Sequence, residues 1–264
     1  MAELDDIRDV TPPRRPALGD EARAEAEALA VRQRRAGGIL MQVILFAGGQ
    51  VEDALSVLPE ATRTQLTGAV RAALRQAYDV ARASHGIGPS GRGANRALAA
   101  VSGAAGGLGG LPTALAELPV ATTLIFRAIQ EVAARHGYDP ADEATALEIL
   151  QVFGRGGPGE GDDGVDLGFV GARLSLTGAA VNRLIAAVAP RFAAVLGQKL
   201  AAQSVPVLGA LAGAGTNYAF LRYYTELAEV HFGLRALADA HGEAEVLDAF
   251  HAALARGRAP VRRG

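Results

Sequence analysis

The sequence predicts an all-α protein, a single-domain multi-helix bundle in which glycine- and alanine-rich helices pack closely. Half of the 264 residues are apolar, yet only 5% are aromatic and tryptophan is absent. The apolar residues are therefore mainly alanine, leucine and valine, which suit helices better than sheets. Apolar positions recur at spacings of three and four, and alternating β-branched runs are missing. A chain of this length can bury a sizeable core without metals or disulfides.

Three parts are predicted along the chain. Residues 1–19 are polar and proline-rich, and we expect a disordered arm. Residues 20–255 form the helical domain, and residues 256–264 form a basic tail. Within the domain, the run 154–168 is dominated by glycine and acidic residues, which predicts a flexible loop.

The first helices are predicted from caps and periodicity. Asp20 is the expected N-cap of the first helix, and an uncharged run follows at 37–49, too short to span a bilayer. A second helix is expected over 59–84. Its apolar face consists of five residues at helical spacing: Leu66, Val70, Leu74, Ala77 and Ala81.

The middle of the chain contains the uncharged stretch 97–116, predicted as two helical pieces joined at a glycine-rich bend. The next helix should cover 113–135, with Gly137 as its terminator. Asp139 and Pro140 then predict the N-cap and first position of another helix, which should reach Phe153. Four further helices are expected, over 169–189, 191–202, 207–238 and 243–255.

Two uncharged segments, 97–116 and 201–221, reach the length of a membrane-spanning helix. Both are rich in glycine and alanine, and Pro112 and Pro206 interrupt them without flanking tryptophans. We favour buried helices over membrane insertion, which stays open as the alternative. The Gly209-x-x-x-Gly213 pattern predicts a close approach between helix backbones.

The charge balance argues against a nucleic-acid partner. The 26 basic and 28 acidic residues give a net charge of −2, without the clustered Lys and Arg that phosphate backbones require. Cysteine is absent, which excludes disulfides and thiolate chemistry and fits a reducing compartment. No secretory signal is recognised near Met1, so we expect a cytoplasmic protein.

Motifs of enzymes are also missing. Three G-x-G-x-x-G matches, at 86–91, 154–159 and 159–164, lack the strand and helix that a dinucleotide site needs. No G-x-S-x-G surrounds any serine, and the five histidines form no H-E-x-x-H. We therefore expect no cofactor and no metal.

A polar stripe on the long C-terminal helix is the most informative feature. Asn217, Tyr224 and His231 recur every seven residues, and Arg235 follows one turn later, so the four share a face. Apolar neighbours predict that the stripe is at least partly buried and needs hydrogen-bond partners. The side chains either satisfy one another across helix contacts, or they form the polar end of a ligand pocket.

An earlier helix carries a comparable polar pair. Arg127 and Glu131 are four residues apart and therefore lie on one face. Both interpretations of the stripe require that this helix and the C-terminal helix converge.

Uncommon residues follow one another in a fixed order in two segments. The segment 205–237 carries Pro-x-x-Gly-Ala, then Asn217, then Ala-x-x-His231-Phe and Arg235-x-Leu. The segment 118–153 carries Leu-Pro-Val-Ala-Thr-Thr, Gly-Tyr-Asp-Pro and Leu-Gln-Val-Phe. In these features the chain resembles the EcsC family over roughly residues 40–240. The resemblance implies a helical bacterial protein that works at or near a membrane, and it implies no established reaction.

We therefore expect a non-enzymatic protein that associates peripherally with the inner membrane or with a membrane transporter and holds a lipid-like ligand. The expected ligand contacts are Asn217, Tyr224, His231, Arg235, Arg127 and Glu131. One alternative is a peptidase-like hydrolase in which His231 acts as the general base. Another is a structural interaction module without a cavity.

Overall fold

The structure is a computed structural model, and it describes residues 18–36, 60–83, 110–155, 182–183, 185–186, 189 and 206–258. Within these ranges the chain forms six helices: α1 (Asp20–Ala36), α2 (Glu60–Ala83), α3 (Gly110–Arg135), α4 (Glu143–Arg155), α5 (Pro206–His241) and α6 (Glu243–Arg258). No strand occurs in this part of the chain, and the predicted all-α fold is confirmed.

Helix α2 follows its predicted pattern most closely. Its bounds differ by one residue at each end from the predicted 59–84. Val70, Leu74 and Ala77 are fully buried, as the helical spacing of the apolar residues requires. The arginine at 71, which falls between them, is exposed.

The start of α1 lies one residue earlier than predicted. The backbone N–H of Arg23 donates to the carbonyl of Gly19 at 2.9 Å, so Gly19 and not Asp20 is the N-cap. Asp20 and Glu21 instead occupy the first turn, where negative charge is favourable beside the helix N-terminus.

The start of α4 corrects a second prediction. The helix begins at Glu143 and not at Pro140. The Asp139 carboxylate accepts a hydrogen bond from the N–H of Ala141 at 2.9 Å, which closes a separate turn. The first helical hydrogen bond runs from Ala146 to the carbonyl of Asp142, which is therefore the N-cap.

Helix α3 starts before the predicted Thr113 and ends where predicted. It begins at Gly110 and contains Pro119. At its end Gly137 has φ 86°, and the N–H of Tyr138 donates to the carbonyl of Ala133 at 3.0 Å. This is the left-handed glycine termination that satisfies the last carbonyls of a helix.

Helices α5 and α6 extend slightly beyond their predicted ends, to His241 and Arg258. The predicted features of 1–17, the glycine-rich bend before Gly110, the loop after Arg155 and most of the two helices over 169–202 lie outside the described residues.

The buried side chains form two clusters that share α5. The first lies among α2, α3, α4 and α5, and its centre is aromatic, with the Phe126 and Phe153 ring centroids 4.4 Å apart and Phe153 stacked on Tyr224 at 5.2 Å. The second lies among α1, α5 and α6 and includes Leu234 and Phe250. Helix α5 is therefore buried on more than one side, and it is about 54 Å long at 1.5 Å per residue.

The contacts also establish the direction of the helices beside α5. His136, at the end of α3, lies 3.3 Å from Glu229, while Phe126 and Tyr224, both earlier in their helices, contact the same Phe153 ring. Helices α3 and α5 therefore run in roughly the same direction. Helix α1 runs the opposite way, because Leu29 contacts α5 at Gly233 and Arg32 contacts it at Glu229.

Close backbone approach is observed at Gly233. A Cβ atom built there would lie 3.0 Å and 3.2 Å from the two Leu29 methyl carbons of α1. Glycine thus allows α1 to pack directly on the α5 backbone, as expected for small residues at helix contacts. The contacts of Gly209 and Gly213, where the sequence pattern predicts a similar approach, are not among those described.

Candidate functional site

Two of the predicted site residues meet at a carboxylate from another helix. The Nε2 atom of His231 lies 3.0 Å from Glu148 Oε2, and the guanidinium of Arg235 donates to Glu148 Oε1. His231 and Arg235 are four residues apart on α5, and Glu148 lies on α4. The side chains of Glu148 and His231 are only 13% and 5% exposed. We call these three residues the Glu148 cluster.

An aromatic ring and a second carboxylate extend this cluster towards solvent. The Arg235 guanidinium lies 4.0 Å from the centre of the Tyr138 ring, a cation–π arrangement. The Tyr138 hydroxyl donates to Asp239 Oδ2 at 2.7 Å. Burial, followed by the hydrogen bond to Asp239, raises the pKa of Tyr138 above its ordinary value, so the hydroxyl keeps its proton at neutral pH.

The charge state of Glu148 follows from its neighbours. Burial alone would raise the pKa of this carboxyl, because it disfavours the charged form. The hydrogen bonds and positive charges of His231 and Arg235 outweigh burial and hold the pKa below its ordinary value. Glu148 is therefore ionised at neutral pH and links α4 to α5.

A second buried carboxylate, Glu229, contacts two arginines and a histidine from two other parts of the chain. Arg135 lies at 2.7 Å, His136 at 3.3 Å and Arg32 at 3.4 Å from its oxygens. Burial again opposes ionisation, but the charge of Arg32 and the contacts of His136 and Arg135 lower the pKa of Glu229. Arg32 also lies 2.5 Å from Glu226. This arrangement, the Glu229 cluster, joins α1, α5 and the end of α3.

The other four predicted residues occupy different surroundings. Tyr224 is fully buried and belongs to the aromatic core beside Phe153, and Asn217 is buried earlier on α5. Arg127 and Glu131 are partly buried on α3. The ligand-binding role of the six residues stays a prediction, whereas the convergence of α3 and α5 on which it depends is observed through Glu229.

Glu148 and Glu229 were not among the predicted site residues. Each is an acidic residue with apolar neighbours on both sides: Glu148 lies between Leu147 and Ile149, and Glu229 lies between Ala228 and Val230. These neighbours are buried in their helices. A lone carboxylate at such a position requires a cationic partner, because a buried charge is costly unless it is paired. This pattern was the available signal for both clusters.

A cleft lies between α1 and α5, apart from the predicted residues. Its volume is about 450 Å³, within the range of ligand pockets. The described residues that line it are Ala28, Val31, Arg32, Arg35, Arg222 and Glu226. The cleft adjoins the Glu229 cluster because Arg32 belongs to both.

The geometry gives no support to the hydrolase alternative. A general base must reach a nucleophile or a water site in an open cleft. His231 is 4% exposed, and its Nε2 atom faces Glu148. Among the described residues, no group of three or more histidine, aspartate or glutamate side chains is arranged to hold a metal ion.

The hydropathy and length of the described helices bear on whether any of them could cross a membrane. None of the helices described, including the 36-residue α5, combines the length and the hydropathy that a membrane span requires.

Comparison with known proteins relates one segment of the chain to a protein family. Residues 87–157, 71 residues in all, match the model of the EcsC protein family, which places α3 and α4, with Arg127, Glu131 and Glu148, inside the matched region. The polar stripe of α5 lies outside it. No curated protein and no solved structure matches the chain significantly. The resemblance to the EcsC family found in the sequence is thereby confirmed over residues 87–157.

Proposed function

We propose that this protein is a non-enzymatic, peripheral membrane-associated protein that contacts the bilayer through one end of its helical bundle and holds a lipid-like ligand there. A single observation carries the proposal: the charges on α3 and α5 are distributed unequally along the bundle. Both helices have a charge-poor half and an ion-paired half. The two charge-poor halves lie at one end of the bundle, and the two ion-paired halves lie at the other.

The sequence and the direction of the helices define these ends. Helix α5 has no charged residue from Pro206 to Leu221, and α3 has only Glu117 from Gly110 to Phe126. Because α3 and α5 run in the same direction, these halves lie at one end, which we call the charge-poor end. It extends about 24 Å along α5, from Pro206 to Leu221 at 1.5 Å per residue. The Glu148 and Glu229 clusters lie towards the opposite end.

An exposed apolar side chain belongs to the charge-poor part of α3. Val120 is 51% exposed, and it and Val80 are the exposed large hydrophobic residues described. Isolated exposed valines are common, but one that extends a charge-poor surface adds to the area that a bilayer can cover. Asn217, buried in the charge-poor half of α5, is the predicted polar contact for the lipid-like ligand.

Sedimentation with lipid vesicles tests this proposal. We expect the protein to pellet with phosphatidylglycerol vesicles, and we expect Val120→Glu to weaken binding about tenfold, through lost apolar contact and charge repulsion. Ala134→Glu is the matched control, because Ala134 is exposed on the same helix but near the ion-paired end. Equal binding of V120E and A134E would contradict the proposed orientation.

Cell fractionation provides the complementary evidence. We expect the protein in the membrane fraction, with lipid in mass spectra of the purified chain. Recovery wholly in the soluble fraction, without bound lipid, would contradict membrane association. The alternative partner is a membrane transporter. Vesicles without protein distinguish the two partners, because a protein that requires the transporter would not bind to lipid alone.

A further inference from the structure

The cleft between α1 and α5 has the composition of an anion site. Among the described residues that line it, Arg32, Arg35 and Arg222 are basic, Glu226 is acidic, and Ala28 and Val31 are apolar. We propose that this cleft binds the phosphate-bearing headgroup of an anionic lipid. The inference rests on the proposed membrane association and names the chemistry that the membrane must supply.

The three arginines differ in the charges that surround them. Arg32 is engaged by Glu226 at 2.5 Å and by Glu229 at 3.4 Å, so its charge is compensated within the protein. Arg35 and Arg222 are exposed, and neither forms an ion pair or hydrogen bond in the described part of the chain. Two like charges beside one cleft repel each other, and a bound anion would relieve that repulsion.

The position of the cleft matches the depth of a headgroup. Arg222 is the first charged residue after the charge-free half of α5. Arg32 contacts Glu226, which lies one turn after Arg222 on α5. Because α1 runs opposite to α5, Arg35, which lies one turn after Arg32, is closer to the level of Arg222. The two uncompensated guanidiniums therefore lie at the boundary between the charge-poor and ion-paired halves, where an inserted bilayer surface would place its phosphates.

The chemistry of the lining favours phosphate over other ligands. A guanidinium presents its donors in a planar fork that matches two phosphate oxygens, and it keeps its charge throughout the physiological range. Ala28 and Val31 supply apolar contact beside the arginines, as the glycerol and upper acyl part of a lipid requires. A volume of about 450 Å³ is sufficient for such a group.

The test replaces the two uncompensated charges together. Arg35→Gln/Arg222→Gln should bind phosphatidylglycerol vesicles about 30-fold more weakly than the unmodified protein, because each surface arginine contributes roughly fivefold. Both side chains are exposed, so the helices should be retained, which circular dichroism checks. Arg23→Gln/Arg71→Gln is the control, because it removes the same charge from exposed positions away from the cleft.

Three probes separate the possible results: phosphatidylglycerol vesicles, phosphatidylcholine vesicles, and soluble glycerol 3-phosphate. Loss of phosphatidylglycerol binding in R35Q/R222Q but not in R23Q/R71Q, with weak phosphatidylcholine binding throughout, supports the headgroup site. Equal binding of the two double variants overturns it, while membrane association still stands if V120E binds weakly. Binding of glycerol 3-phosphate without vesicle binding overturns the assignment to lipid. Absence of all vesicle binding by the unmodified protein overturns the proposed function itself.

Discussion

Glu148 and Glu229 are carboxylates with side chains only 13% and 8% exposed, and each contacts at least one arginine and one histidine from outside its own helix. Removing one member of a buried pair leaves the other charge without compensation, which usually costs more than the pair itself contributes. At the scale of single residues, these two carboxylates should therefore be among the most sensitive positions.

Glu148→Gln should lower the free energy of unfolding by about 3 kcal/mol, because Arg235 and His231 would lose their anionic partner. Glu143→Gln is the control on the same helix, because Glu143 is exposed in the first turn. This change should lower the free energy of unfolding by about 1 kcal/mol or less. Urea unfolding monitored by circular dichroism measures both. Equal values for E148Q and E143Q would show that the cluster adds no net stability.

The two carboxylates also predict the response to acid. Their pKa values are lowered in the folded protein from the ordinary 4.5, so the unfolded chain binds more protons below that pH. The stabilisation is present above pH 4.5 and is lost as the pH falls through the lowered values. Urea titrations between pH 6 and 3 should show a smaller loss for E148Q than for E143Q. A larger loss for E148Q would reverse this sign.

The sequence predicted that His231 and Arg235 share a polar face, because both lie on one helix, where spacing determines which residues lie on the same side. It did not identify Glu148 as their partner, since Glu148 is 83 residues from His231 and no local rule relates them. The cleft was missed for the same reason: Arg35 and Arg222 are distant in the chain and become neighbours only when α1 packs against α5.

At the scale of helices, α5 supports the bundle because it contributes to both buried clusters. Its packing against α1 depends on Gly233, where side-chain atoms of Leu29 would contact any Cβ at 3.0 Å. Larger residues at such a position force neighbouring side chains or backbone to move. The α1–α5 contact should therefore tolerate no branched side chain at this residue.

Gly233→Val should destabilise the protein by about 2 kcal/mol through overpacking against Leu29. Gly68→Val is the matched control, because Gly68 lies within α2, is exposed and has no atom within 4 Å of its potential Cβ. There the same change should be neutral or slightly stabilising, since valine has a better helix propensity than glycine. Thermal unfolding compares the two variants. A destabilisation of G68V as large as that of G233V would remove the evidence for close packing at Gly233.

The presence of the helices could be predicted because the periodicity and composition that indicate a helix lie within one segment of the chain, as in α2. Helix starts were less so: Asp20 and Asp139 are both common N-cap residues, yet the caps are Gly19 and Asp142. Asp139 uses its carboxylate to close a turn on Ala141, an alternative to capping that is available to the same side chain. Gly137 was predicted correctly because a left-handed position strongly favours glycine.

At the scale of the whole molecule, the unequal distribution of charge along α3 and α5 is the feature that the proposed function explains. Ion pairs join the helices at one end, and we propose that a bilayer covers the charge-poor end. The arginine-lined cleft lies between the two halves. A bilayer that covered the charge-poor end would place anionic headgroups beside Arg35 and Arg222.

Hydrogen–deuterium exchange with and without phosphatidylglycerol vesicles tests this arrangement most directly. We expect added protection in peptides from 110–126 and 206–221, at the charge-poor ends of α3 and α5, and unchanged exchange in α4 and α6. Unchanged exchange in both charge-poor segments, or protection centred on α4 and α6, would contradict the proposed membrane-facing end.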